Sequence, residues 1–489
     1  MRDDQVRRRL SEANPWWSTA IGDNPAGWAD HDLLLIARAK FDIGFRSTAL
    51  ADIATAPIGD TLTLLQGPRR VGKSVAVRDL ALSLCQRPDV DPRQIINLAC
   101  DGMSAQDVTR ALKLGRELTR SVDLPTSRPR VWLLDEITSI KGWAIALKHA
   151  RDNSLFGQDT VVATGSSWRP EEDIEGNLFA GRAGSTGLRR LRQMFPLSFR
   201  EFITLTRATL PIPAKTHPAL LTSSAVAARL DMARFAVDDY DLAWQAYLSS
   251  GGFPRAVHAV ETTGSHDRSY LEDLHAWLRR DIDPDGAQES IMTLLAALAQ
   301  RATSPLDRTG TAAFLGYPSR QTFERRIARM IASFGAVWCP QRNDAGRTVA
   351  GAQAKLYLLD PVLAWIPYVL RAGSHPPDFT SLSEQVIGTH LARAIDDIEP
   401  GRWVSGDTIG YGRTASSNEV DLAPVPIGSA VGTQLTVPVE SKWVDSGWRK
   451  EALVIEGKYS TGILATKTIL DTSHSAWAVP APLLALLLV

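Results

Sequence analysis

The chain has 489 residues, too many for one hydrophobic core, so roughly two to four domains are expected. Lys+Arg and Asp+Glu each number 54 and the formal net charge is zero, which excludes a whole-chain electrostatic pull toward nucleic acid or an anionic membrane and leaves only local charged faces. The 44% hydrophobic and 22% charged residues are those of an ordinary globular protein and not of a disordered chain.

The amino terminus, MRDDQVRRRLSEANPWW, carries charge where a secretory signal needs an apolar stretch, and residues 1–59 read as an N-terminal extension. Cys85, Cys100 and Cys339 are scattered, with neither metal-ligand spacing nor a disulfide framework. They read as small buried hydrophobes in a reducing, cytoplasmic setting.

From residue 60 to residue 205, short apolar runs alternate with helical patterns, the rhythm of an α/β domain with a parallel sheet. The strand candidates are Thr61–Leu65, Ile95–Leu98, Val131–Leu134 and Val161–Ala163. The first runs into Gly67-Pro68-Arg69-Arg70-Val71-Gly72-Lys73-Ser74, an eight-residue match to the P-loop pattern, followed by the helical Val75–Leu84. Glycines let successive backbone N–H groups curl toward phosphate oxygens, and the next helix adds its positive end. Lys73 is placed to reach the β- and γ-phosphates, and the Ser74 hydroxyl to hold Mg²⁺.

The run Val131-Trp132-Leu133-Leu134 ends in Asp135-Glu136. It is expected to lie beside the P-loop strand, with Asp135 supporting Mg²⁺ and Glu136 acting as general base toward water. Val161-Val162-Ala163 leads into Thr164-Gly165-Ser166-Ser167. Either Thr164 or Ser166 would serve as a γ-phosphate sensor, and turn chemistry alone is the other reading of that cluster. A nucleoside triphosphate with Mg²⁺ is the expected cofactor pair, since the loop reads phosphates and not the base.

Residues 206–285 turn helical, broken at Gly251-Gly252-Phe253-Pro254, and read as a lid or linker domain. Residues 286–370 form a smaller helical unit that finishes in strand-like segments. Within it, Gly310–Phe334 reads as a short helix, a Gly316-Tyr317-Pro318 turn and a longer helix capped by Ser319. Phe323, Ile327 and Ile331 share one face of the second helix, while Arg320, Arg325, Arg326 and Arg329 lie largely off it. That is the pattern of a winged-helix or helix-turn-helix unit, with DNA as the partner those arginines would meet. A solvated face is the alternative.

In residues 375–489, Glu419-Val420-Asp421 precedes Val439-Glu440-Ser441-Lys442. Side chains two apart share a strand face, so Glu440 and Lys442 project together. With Asp421 on a neighbouring strand they give the arrangement of a PD-(D/E)XK nuclease fold: Asp421 and Glu440 as metal ligands, Lys442 steadying water or phosphate, and Glu384 as a further carboxylate. Pro438 is awkward in such a strand, and Glu456-Gly457-Lys458 offers a competing triplet in a helical stretch. The closing apolar run Ala476–Val489, interrupted by Pro480 and Pro482, is shorter than the ~20 residues of a membrane span and reads as a buried element, with no membrane partner.

Taken in order, GPRRVGKS, LLDEI followed by Lys141-Gly142-Trp143, TGSS, Ala180-Gly181-Arg182 and Pro196–Phe202 resemble a family of prokaryotic AAA-type ATPases. Its members join a P-loop core to a carboxy-terminal domain of unknown function, the one numbered 4143. Tyr247–Pro254, Tyr270–Asp273 and Leu356–Pro361 extend the resemblance over most of the chain from about Thr61. It implies an arginine-finger or nucleotide-sensing role for Arg182, a homo-oligomeric assembly, and a nuclease-like tail. It also implies ATP as the nucleotide. The expected architecture is thus a parallel α/β AAA-type P-loop core followed by helical, winged-helix-like and C-terminal α/β nuclease-like domains. Its leading function is ATP hydrolysis that drives or gates a partner, with a nucleotide-gated regulatory binder and a Mg²⁺-dependent nuclease that uses ATP for assembly as alternatives.

Overall fold

The apolar run at Thr61 forms the first strand, β1 (Thr61–Gln66), buried along its whole length. The computed structural model describes residues 1–18, 24–125, 127–153, 156, 158–167, 178–179, 184, 186–284, 288–301, 304–317, 319–414, 418–429 and 432–489. They cluster into two compact units, residues 1–195 and 196–489.

In the first unit, β1 is joined by β2 (Ile95–Ala99), β3 (Val131–Asp135), β4 (Thr160–Gly165) and β5 (Leu191–Gln193). The sheet order is β2-β3-β4-β1-β5, and every pairing is parallel. All four expected strands are present. Their order corrects one expectation: β3, which carries Asp135, does not lie beside the P-loop strand. The fully buried β4 separates them, pairing Leu65 with Thr164 on one side and Leu134 with Ala163 on the other. The short β5 escapes a periodicity reading because its three residues include a charged Arg192.

Residues 1–59 are part of this unit. Val6 and Leu10 of the helix Asp3–Ala13 are buried. Asn14 then pairs with Asn97 of β2, donating to its carbonyl at 2.8 Å and accepting its N–H at 2.6 Å. The indoles of Trp16 and Trp17 both donate to the Ile95 carbonyl at 2.9 Å. Backbone groups of the edge strand are thereby satisfied by side chains instead of being left as a template for another chain.

The second unit is mainly helical up to Ala332 and then mixed. A helix–turn–helix pair, Arg308–Phe314 and Arg320–Ala332, precedes the antiparallel strands β6 (Ala336–Arg342) and β7 (Ala354–Leu358). Ser319 caps the second helix by accepting the Thr322 N–H at 3.1 Å. β8 (Tyr411–Arg413) and β9 (Glu419–Val420) extend the same sheet in the order β7-β6-β8-β9. Because β6 pairs in parallel with β8, residues 286–370 and 375–489 share one sheet, and the expected boundary between them does not separate two cores.

The stretch between Asp421 and Glu440 folds as an antiparallel hairpin, β10 (Pro426–Ser429) and β11 (Gly432–Leu435). A parallel sheet of β12 (Val439–Ser441), β13 (Gly462–Thr466) and β14 (Ala476–Pro480) follows. Pro438 stands just before β12, where its missing N–H is tolerated. The run from Ala476 becomes β14 and the buried helix Ala481–Leu488, and no helix among the described residues is long and apolar enough to cross a membrane.

Three of the family-like motifs meet in the core of this unit. The Leu197 N–H donates to the Gly252 carbonyl at 2.7 Å, Tyr247 donates to the Leu197 carbonyl at 2.7 Å, and the Gly252 N–H donates to Asp360 Oδ2 at 2.8 Å. A Cβ at Gly252 would stand 2.1 Å from the Leu197 oxygen, so only glycine fits. Ser198 and Glu201 form a capping box on the helix Phe199–Thr206. Arg200 donates to the carbonyls of Val489 at 2.8 Å and Pro213 at 2.6 Å.

Candidate functional site

The P-loop lies between β1 and the helix Lys73–Cys85. Gly72, at φ +107°, turns the chain into that helix in a conformation reserved for glycine. Gly67 faces a wall: an added Cβ would sit 2.1 Å from the Met194 carbonyl oxygen, just beyond β5. Lys73 is buried, and its ammonium donates to the carbonyls of Gly67 at 2.9 Å and Pro68 at 2.8 Å. The lysine therefore lies along the loop whose phosphates it is expected to meet.

The acid pair is organised by β4. The Thr164 hydroxyl donates to Asp135 Oδ1 at 2.6 Å and accepts the Glu136 N–H at 2.9 Å. Glu136 stands in left-handed backbone conformation, φ 57° and ψ 40°, a strain of roughly 1–2 kcal/mol for a residue with a Cβ. The hydrogen bond from its N–H to Thr164 holds that turn. Ser166 donates to Glu136 Oε1, and an Arg69 guanidinium nitrogen lies 3.8 Å from the same oxygen. Parallel strands bring residues far apart in sequence to one edge of the sheet, so the P-loop, Asp135, Glu136, Thr164 and Ser166 all belong to its C-terminal edge.

Asp135 and Ser74 together offer a carboxylate and a hydroxyl, the hard oxygen donors that suit Mg²⁺. Thr164 occupies only Oδ1 of Asp135, and the donor set fits the ion. Arg182, with the rest of Ala180-Gly181-Arg182, lies outside the described residues. Sequence reasoning paired neither Arg69 with Glu136 nor Thr164 with Asp135, because strand order decides both.

The second predicted cluster also assembles, with an added member. Asp421 Oδ2 accepts the Ser441 N–H at 2.9 Å, and Glu440 Oε2 accepts the Asp421 N–H at 3.1 Å. Lys442 lies 3.0 Å from Glu440 Oε1. Between Glu384 and Asp421 stands Lys355 of β7, fully buried, with Nζ 2.9 Å from Glu384, 2.7 Å from Asp421 and 2.7 Å from Glu419. Burial opposes the Lys355 charge, but Asp421, Glu384 and Glu419 outweigh it and raise its pKa. Burial, then Asp421, pushes Glu384 and Glu440 above the usual carboxylate range.

The facing oxygens of Asp421 and Glu440 accept from Lys355, Lys442 and backbone N–H groups, so the pair's charge is already compensated by protein cations and donors. No group of three or more acids, histidines or cysteines among the described residues is arranged to hold a metal. The competing Glu456 and Lys458 are engaged elsewhere, with Arg449 and Asp344 respectively. Lys355 shared a strand face with Tyr357, which also donates to Glu384 at 2.7 Å; that i, i+2 spacing was the available signal.

The four helix arginines separate into two kinds. Arg326 pairs with the buried Asp283 and covers the Tyr317 ring at 4.6 Å, and Arg329 donates to the Ile282 carbonyl at 3.3 Å. Arg320 pairs with Glu324 at 3.0 Å on the surface, and Arg325 is exposed. Phe323 and Ile327 are buried as expected, with Met330 completing the face. Pro318 lies outside the described residues.

A parallel sheet in this order, with a glycine loop leading into a helix and an acid pair at the same edge, defines an α/β P-loop nucleotide-binding domain. Residues 60–203 match the family model described as AAA domain. A Walker-type ATPase of Pyrococcus abyssi is similar at 14% identity, over 63% of this chain and 91% of its own, with a TM-score of 0.35. No curated protein matches the chain.

Proposed function

We propose that the Gly67–Ser74 site binds ATP and hydrolyses it, with Glu136 as the general base. The carrying observation is the Thr164 hydroxyl, which ties Asp135 to the Glu136 backbone and so fixes both acids relative to the loop. Lys73 exchanges its carbonyl partners for the β- and γ-phosphates. Glu136, its carboxylate held by Ser166 and near Arg69, takes a proton from water as the water oxygen bonds to the γ-phosphorus. The bond from that phosphorus to the bridging oxygen breaks, leaving ADP and phosphate. Ser74 and Asp135 would hold Mg²⁺, which when bound would supply charge neutralisation at the phosphates. Thr164, bonded to Asp135, and Ser166, bonded to Glu136, both stay candidates for the γ-phosphate sensor.

Lys73→Ala should abolish nucleotide binding, and Glu136→Gln should bind ATP without turning it over. A Glu136→Gln variant that hydrolyses ATP at the wild-type rate would overturn the assignment.

The second unit would act on an anionic partner, with DNA as the first to test. A groove of about 840 Å³ there is lined by Arg268, Arg279, Arg280, Arg371, His275 and Glu272, among others, an excess of positive charge in a concave surface. Exposed Arg325, on the helix Arg320–Ala332, is a further positive position in the same unit. ATP turnover and assembly size should change on adding DNA, and Arg279→Glu with Arg280→Glu should weaken DNA binding. A flat response would assign the partner to protein.

A further inference from the structure

An ammonium group has three N–H donors and no acceptor. At Lys355 three carboxylate oxygens stand within 2.9 Å of Nζ, one each from Glu384, Glu419 and Asp421, so the cation meets one acceptor per donor. It is also completely buried, where an uncompensated charge would be costly. The acids it joins come from the helix Phe379–Ile398, from β9 and from the residue after it. Asp421 and Glu440 are then linked to each other through the Asp421 N–H, and Lys442 closes the cluster at Glu440.

We propose that Lys355 is a built-in cation standing where the acids would otherwise hold a divalent metal. The cluster is then an ion-pair lock joining β7, the helix Phe379–Ile398, β9 and β12, and it cuts no nucleic acid by metal-assisted hydrolysis. The idea rests on the second unit alone and is independent of ATP hydrolysis.

The test uses Mn²⁺ as probe on the full chain without nucleotide, read by melting temperature and by the electron paramagnetic resonance of free Mn²⁺. Wild-type protein should take up the same Mn²⁺ as Asp421→Asn and Glu440→Gln. Replacing the ammonium in Lys355→Met should open a cation site. That variant should melt lower than wild type and be raised by Mn²⁺, with affinity at least about tenfold tighter than wild type; adding Asp421→Asn should remove the gain. A folded Lys355→Met that ignores Mn²⁺ would overturn the proposal. So would wild-type Mn²⁺ uptake, or Mn²⁺-dependent DNA cleavage, that disappears with Asp421→Asn or Glu440→Gln. Should Lys355→Met not fold, the wild-type comparison with the two acid variants decides alone.

Discussion

Replacing Thr164 by valine keeps the volume and branching of a fully buried side chain and removes one hydroxyl. Two hydrogen bonds go with it: the 2.6 Å donation to Asp135 Oδ1 and the 2.9 Å acceptance from the Glu136 N–H. The first is charge-assisted, and the second leaves a partly buried N–H without its acceptor in a strained turn. Together they are worth about 3 kcal/mol, roughly 150-fold in a local opening equilibrium. Hydrogen exchange followed by mass spectrometry reads this directly. Peptides covering β3 and β4 should exchange faster in Thr164→Val, while peptides of the second unit should not change. ATP turnover should fall as well, because Glu136 loses the bond that orients its backbone, and Thr164→Ser should recover most of both losses. Unchanged exchange and unchanged turnover in the valine variant would refute the view that this hydroxyl organises the acid pair.

Other outcomes follow from contacts described above. Gly67→Ala would drive a Cβ against the Met194 carbonyl and should displace the loop, seen as weaker binding of a fluorescent ATP analogue in a protein that stays folded. Gly252→Ala meets the Leu197 oxygen in the same way and should destabilise the second unit by about 1–3 kcal/mol, measured by its melting temperature. Asp360, whose burial raises its pKa to about 7, should give a pH signature. The folded chain keeps this proton up to about pH 7, whereas the unfolded chain releases it near 4. Stability from this group is therefore greatest at acid pH and falls as pH rises from about 4 to 7. The melting-temperature advantage of wild type over Asp360→Asn should shrink between pH 4.5 and pH 7.5 buffers; a constant gap would show that Asp360 is ionised throughout.

Features set by neighbours in the chain were legible from residues alone. The P-loop is eight consecutive residues, and β1 to β4 are short apolar runs, so both read directly. Ser319 and its helix were equally local. What could not be read was pairing across distance. Nothing in Val161-Val162-Ala163 says that β4 passes between β1 and β3, yet that order is what puts Thr164 on Asp135. Arg326 reads as a solvent-facing charge until Asp283, forty-three residues earlier, turns out to be its buried partner. Lys355 is the same case: its acids lie at 384, 419 and 421, and only the folded sheet brings a cation among them. The acids themselves were found because Glu440 and Lys442 obey the two-residue period of a strand.

The strand order β2-β3-β4-β1-β5 also has a bearing on how the chain comes off the ribosome. β1 is made first, yet neither of its sheet neighbours exists until much later, since Thr61 aligns with Thr160 and Leu64 with Leu191. At about 5–20 residues per second, the strand that feeds the phosphate loop waits roughly 5–20 s for its first ladder partner. β2 and β3 can pair before then, with the indoles of Trp16 and Trp17 already available to their edge. The sheet is thus completed from its β2 edge across to β5, and β1, which feeds the phosphate loop, is the strand that waits longest for a partner.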